Sequence, residues 1–143
     1  MNRAVIEASI PHRPPMLMID EVVEQTDDHI VCRKTFSDQE YFFQGHYPET
    51  PIVPGVMLCE AAMQAGAVLL ASFVEPGDGK VPVATRINNV RFKKILRPGA
   101  TVEIIVDLTE RLSDVFFLTG KIIHEGKTAA RLDFACKVTA IET

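Results

Sequence analysis

The rhythm of apolar and polar positions changes repeatedly along the chain, and each change predicts a different element. Residues 16–23 and 29–36 are short apolar-rich runs separated by the turn-prone Thr26-Asp27-Asp28, which predicts two strands of a hairpin. Residues 41–54 are rich in aromatics, glycine and proline. Pro48, Pro51 and Pro54 recur every third residue and push each preceding residue toward extended geometry, so a stiff, non-helical lead-in is expected. The same spacing would suit a proline-rich ligand, but the flanking apolar residues favour burial. Residues 55–74 then switch to Met, Leu, Ala and Val with almost no charge, behind a proline tolerated at a helix start, which predicts one long helix. Because the apolar residues cover every side, the helix is either a core helix or a membrane span. Glu60 and Gln64 interrupt the stretch and no second candidate exists, so a helix wrapped by protein is expected.

Beyond Pro76-Gly77-Asp78-Gly79 the pattern is that of strands, over residues 83–92, 101–112, 115–124 and 128–141. Pro98-Gly99, Ser113-Asp114 and Glu125-Gly126-Lys127 break them, and antiparallel neighbours are expected across such short connections. One helix apolar all round and five or six long antiparallel strands pack economically when the curved sheet wraps the helix. That is the α+β architecture called the hot-dog fold, with an open sandwich carrying the helix on one face as the alternative.

Bulk properties narrow the function. A chain of 143 residues and 15.9 kDa is expected to form a single domain over residues 1–143. A net charge of -4 and pI near 5.5 argue against nucleic-acid binding, which needs a concentrated basic surface. Cys32, Cys59 and Cys136 lie far apart and form no metal-binding spacing, which fits a reducing compartment and no metal. The first residues lack the apolar core and cleavage site of a signal peptide, so a cytoplasmic protein is expected.

The chemical signal concentrates between Gln44 and Gln64. Glu60 has only apolar or small neighbours from Val56 to Met63, where a carboxylate is costly to ionise and a neutral carboxyl can serve as a general acid. A structural carboxyl bonded to Gln64, one turn on, is the alternative. His46 lies in the loop before the helix, and an unperturbed imidazole, with a pKa of about 6.5, is mostly neutral at pH 7 and ready to accept a proton. The other histidines, His12, His29 and His124, have no comparable company in sequence. Gly55 opens the helix, where free N–H groups and the macrodipole favour an oxyanion and the missing side chain permits close approach. Glu60 is about 7 to 8 Å beyond Gly55 along the axis, so base, acid and oxyanion donor suit proton abstraction alpha to a carbonyl followed by loss of a beta-hydroxyl. Arg91, Lys93, Lys94 and Arg97 form a local basic cluster on an otherwise acidic chain, a dock for an acidic partner or a solvated strand end.

The string resembles the 3-hydroxyacyl-acyl carrier protein dehydratase family, of the FabZ and FabA type. The resemblance rests on Gly45, His46, Tyr47, Pro48, Pro54, Gly55, Val56 and Glu60, and extends to Ile10-Pro11-His12-Arg13, residues 17–20, Asn89-Val90-Arg91-Phe92 and Arg97-Pro98-Gly99. It implies a hot-dog lyase without cofactor that converts (3R)-3-hydroxyacyl thioesters to trans-2-enoyl thioesters in fatty acid or related lipid biosynthesis. His46 would be the base at the alpha carbon, Glu60 the acid at the beta-hydroxyl and Gly55 the donor to the thioester carbonyl. The resemblance further implies acyl carrier protein, or coenzyme A, as the carrier. It also implies a homodimer whose sites join His46 of one subunit to Glu60 of the other, with three dimers assembling further. Glu49 stands where the common pattern has glycine, and Met57 and Cys59 replace commoner aliphatic residues. A hot-dog thioesterase, or a non-catalytic binding subunit, is the alternative.

Overall fold

In the computed structural model, which describes residues 3–141, the long apolar run becomes helix α2, Gly55–Leu70, continued by a 3-10 turn at Ala71–Phe73. Before it come a short helix α1, Arg3–Ser9, strands β1, Glu21–Gln25, and β2, His29–Thr35, and a 3-10 turn at Tyr41–Gln44. After it come β3, Lys80–Phe92, β4, Thr101–Leu112, β5, Val115–His124, and β6, Lys127–Ala140. All six strands form one antiparallel sheet in the order β1-β2-β4-β5-β6-β3, and α2 packs against β2 through β6. This is the wrapped helix of the hot-dog fold, not an open sandwich. Together α2 and its 3-10 continuation, Gly55–Phe73, are long and apolar enough to cross a membrane, yet 67% of the most apolar stretch is buried inside the molecule, as for a core helix.

Small residues make the wrapping possible. An added side chain at Gly120 of β5 would lie 3.0 Å from the Ala62 Cβ of α2, and one at Gly66 of α2 would lie 2.8 Å from the Phe134 ring of β6. Helix and sheet therefore approach more closely than larger side chains allow. Strand alternation does the rest: Phe116, Leu118 and Ile122 of β5 face the helix, while Phe117, Thr119 and Lys121 face away. The β5–β6 turn uses Glu125 and Gly126, both at positive φ, which matches the twist of a two-residue hairpin.

Three expectations are corrected. Residues 16–20 precede β1 as the end of an irregular strap, residues 10–20, because Leu17, Met18 and Ile19 are all buried and leave no polar face for a half-exposed strand. The expected non-helical lead-in holds only after the turn at Tyr41–Gln44, where Phe43 N–H bonds back to Glu40 O. β3 and β4 are not neighbours: β3 crosses to the far edge and pairs with β6, while β4 pairs with β2 and β5.

Candidate active site

His46 is positioned by the 3-10 turn, its N–H bonding Phe42 O at 3.0 Å. Its Nδ1 lies 3.0 Å from Ile52 O. A carbonyl oxygen can only accept, so Nδ1 carries the hydrogen and Nε2 presents its lone pair, the tautomer a base requires. The Tyr47 ring stands edge-on to the imidazole at 4.8 Å, and Tyr47 adopts φ 58, a conformation fixed by the turn that its carbonyl closes with Thr50 N–H.

Gly55 begins α2 behind the extended Pro54. A Cβ there would lie 2.8 Å from the Phe92 ring, so the absence of a side chain is used twice, to seat Phe92 and to leave the helix terminus open. Phe92 is 54% exposed, as are its neighbours Ile95 and Val56 to a similar or greater degree.

Glu60 faces a different direction. With His12, Pro11, Met63, Val83 and Cys136 it lines a cleft of about 370 Å³, to which neither His46 nor Gly55 contributes. Gln64 Nε2 donates to Glu60 Oε2 at 2.8 Å, and His12 Nε2 lies 3.8 Å from the same oxygen. The bond to Gln64 expected of a structural carboxyl is thus present, but Gln64 has further work. It is 1% exposed, accepts from Met18 N–H at 2.7 Å and donates its other hydrogen to Met16 O at 2.9 Å. One side chain therefore ties Glu60 to the strap. Within one chain the structure brings Glu60 together with Gln64 and His12, and does not bring it into one cleft with His46.

Sequence reasoning missed His12. Its partner Glu60 lies far along the chain on another element, and no local spacing announces the contact. Of the basic cluster, Arg91, Lys93 and Arg97 are exposed and Lys94 is half-buried, and none forms an ion pair among the described residues. In sequence they flank Phe92 and Ile95, and the Phe92 ring lies beside Gly55. Burial pushes the Cys59 thiol up from its ordinary value, so it holds its proton and is a poor nucleophile. Among the described residues no group of three His, Cys, Asp or Glu side chains converges as a metal site would.

Comparison with known proteins places this arrangement. The family described as FabA-like domain matches residues 10–133. The 3-hydroxyacyl-[acyl-carrier-protein] dehydratase FabZ of Clostridium perfringens is 39% identical over 129 residues, covering 90% of this chain and 92% of that protein. The protein of the same name from Streptococcus pyogenes is 38% identical over 138 residues, covering 95% and 99%. Among solved structures, the dehydratase heterocomplex ApeI:P of Xenorhabdus doucetiae superposes with a TM-score of 0.80 at 18% identity, covering 94% of this chain and 90% of that one. A hypothetical thioesterase with coenzyme A from Streptococcus pneumoniae superposes with a TM-score of 0.67 at 14% identity, covering 86% and 88%, and like the first it speaks to the fold alone.

Proposed function

The chain belongs to the FabA-like domain family, and from that premise we propose that it is a dehydratase of 3-hydroxyacyl thioesters carried on acyl carrier protein, with His46 and Glu60 as base and acid. His46 Nε2 takes the proton alpha to the thioester carbonyl, and the negative charge developing on the carbonyl oxygen is met by the Gly55 N–H at the positive end of α2. Glu60 delivers a proton to the beta-hydroxyl, the C–O bond breaks, water leaves and the conjugated double bond forms. The observation that carries the base assignment is the Nδ1 contact to Ile52 O, which leaves Nε2 free to accept.

Glu60 and His46 do not share a cleft within one chain, so the working site joins two chains. β3 supports this reading. It is an edge strand of 13 residues with Val83, Ile87, Val90 and Phe92 exposed along it. A long, unpaired edge that exposes apolar side chains is a liability in a lone chain and a ready pairing surface for a second copy. Two copies joined at β3 form a dimer with one continuous sheet, His46 of each reaching toward Glu60 of the other, and three such dimers assemble further. The carrier protein docks at Arg91, Lys93, Lys94 and Arg97, where unpaired cations beside Phe92 and Ile95 suit an acidic partner with an apolar spot. All three cysteines are buried and unpaired, which fits a cytoplasmic enzyme.

The test is to incubate the protein with a 3-hydroxyacyl thioester on acyl carrier protein and follow both the absorbance of the conjugated enoyl product and the release of free thiol. Enoyl formation without thiol release is expected. Thiol release from a saturated acyl thioester, with no loss of water from the 3-hydroxy compound, would make the protein a thioesterase instead.

A further inference from the structure

His12 has no part in the acid-base pair, yet the fold devotes several contacts to placing it. Arg13 folds back on the strap, donating from Nη1 to Ile10 O at 2.9 Å and to His12 O at 2.8 Å, and from Nη2 to Glu7 O at 2.9 Å. Its Nε pairs with the Glu7 carboxylate at 3.0 Å. Farther along, Gln64 clamps the backbone at Met16 and Met18. Held at both ends, the strap presents His12 to the Glu60 cleft, with 27% of the histidine side chain and 21% of the glutamate exposed.

The two ring nitrogens are in unlike surroundings. Nε2 faces Glu60 Oε2 at 3.8 Å, whereas Nδ1 is buried with no hydrogen-bond partner. A neutral imidazole carries one hydrogen and one lone pair. A buried N–H without an acceptor costs more than a bare nitrogen there, so the hydrogen sits on Nε2 and points at Glu60. The other polar groups around it do not alter this. Arg13 is committed to Glu7 and the strap carbonyls, the buried Cys136 thiol is pushed up to about 11 and remains protonated, and β3 contributes only Val81, Pro82, Val83 and Ala84.

Gln64 thus donates to Oε2, His12 Nε2 faces the same oxygen at 3.8 Å, and no described side chain or backbone group donates to Oε1. We infer that His12 and Gln64 are positioning residues that reserve Oε2 as an acceptor and so keep the transferable proton of Glu60 on Oε1; this rests on the reading of Glu60 as the acid. At 3.8 Å His12 Nε2 is beyond hydrogen-bond distance of Oε2, so its hold on that oxygen is electrostatic and weaker than the Gln64 bond. In the dehydration step the C–O electron pair goes to the departing oxygen, the proton passes to it from Oε1, and water leaves. The carboxylate that remains keeps the Gln64 N–H on Oε2, with His12 Nε2 facing the same oxygen.

Steady-state kinetics of the full chain test this with three variants. His12→Phe keeps the ring shape without a donor and is expected to lower kcat by ~10- to 100-fold, the scale of a misplaced catalytic group, with KM within ~2-fold and an unchanged thermal midpoint. His12→Gln places an N–H near the position of Nε2 and is expected to recover most of the loss. In a Glu60→Asp background, whose shorter carboxyl no longer reaches the strap, His12→Phe is expected to cost less than ~3-fold, because the two groups act as one unit. A His12→Phe enzyme with parental kcat, a His12→Gln enzyme as slow as the Phe variant, or the full loss persisting in the Glu60→Asp background would overturn the inference. Parental kcat in Glu60→Gln would sink the acid assignment itself, a separate failure.

Discussion

Gln64 offers a quantitative test of how the site is held. Gln64→Leu conserves size and removes three hydrogen bonds, to Met18 N–H, Met16 O and Glu60 Oε2. They are not equal. Met18 is fully buried, so its N–H cannot turn to water, and an unsatisfied buried donor costs ~1 to 3 kcal/mol. Met16 is exposed and Glu60 is partly exposed, so water replaces the bonds they lose at little cost. The net loss is therefore about 2 kcal/mol, which for a chain of this length lowers the thermal midpoint by roughly 4 to 8 °C. Urea and thermal unfolding at one fixed protein concentration measure it, since dimerisation would make stability concentration-dependent. A Leu variant within ~0.5 kcal/mol of the parent would show that the Met18 N–H finds another acceptor and that the strap does not depend on this side chain.

His29 lies between Asp107 at 2.6 Å and Glu24 at 3.2 Å, and the hydrogen bond to Asp107, aided by Glu24, raises its pKa above 6.5. Its stabilising effect is therefore complete below pH 6.5 and fades as the pH rises through the folded-state value, so His29→Gln should destabilise more at about pH 6 than at about pH 8.5; an equal effect at both, read by urea unfolding, would contradict this. Gly66→Ala drives a methyl toward the buried Phe134 ring and should destabilise by ~1 to 3 kcal/mol despite the better helix propensity of alanine, whereas an unchanged thermal midpoint would mean that the ring moves aside. Charge reversal at Lys93 and Lys94 should raise KM for carrier-bound substrate, most at low salt, and leave KM for an uncharged N-acetylcysteamine thioester unchanged; an unchanged KM for the carrier-bound substrate would remove the dock from this surface.

What was legible in the sequence follows from where the determining forces act. β4, β5 and β6 could be bounded to within about a residue because turn residues punctuate clean alternation, as at Ser113-Asp114 and Glu125-Gly126. α2 was legible because its composition changes abruptly at Pro54. The strap was not, since Leu17, Met18 and Ile19 are buried in a row and their backbone is satisfied by a side chain 46 residues away. Strand order failed at β3 for the same reason: pairing with β6 is a tertiary choice that no local turn encodes. His46, Gly55 and Glu60 stood out because they are unusual in their immediate neighbourhood, but His12 is unusual only in three dimensions, opposite Glu60.

The pairing of His46 and Glu60 across two chains is tested most directly by mixing. His46→Ala and Glu60→Gln chains, each nearly inactive alone, are co-refolded in equal amounts and assayed for enoyl formation from a 3-hydroxyacyl thioester. If each site takes one residue from each chain, mixed dimers hold one intact site in two and the mixture regains about a quarter of parental activity. A mixture as inactive as its components, with mixed dimers shown to be present, would contradict the shared site.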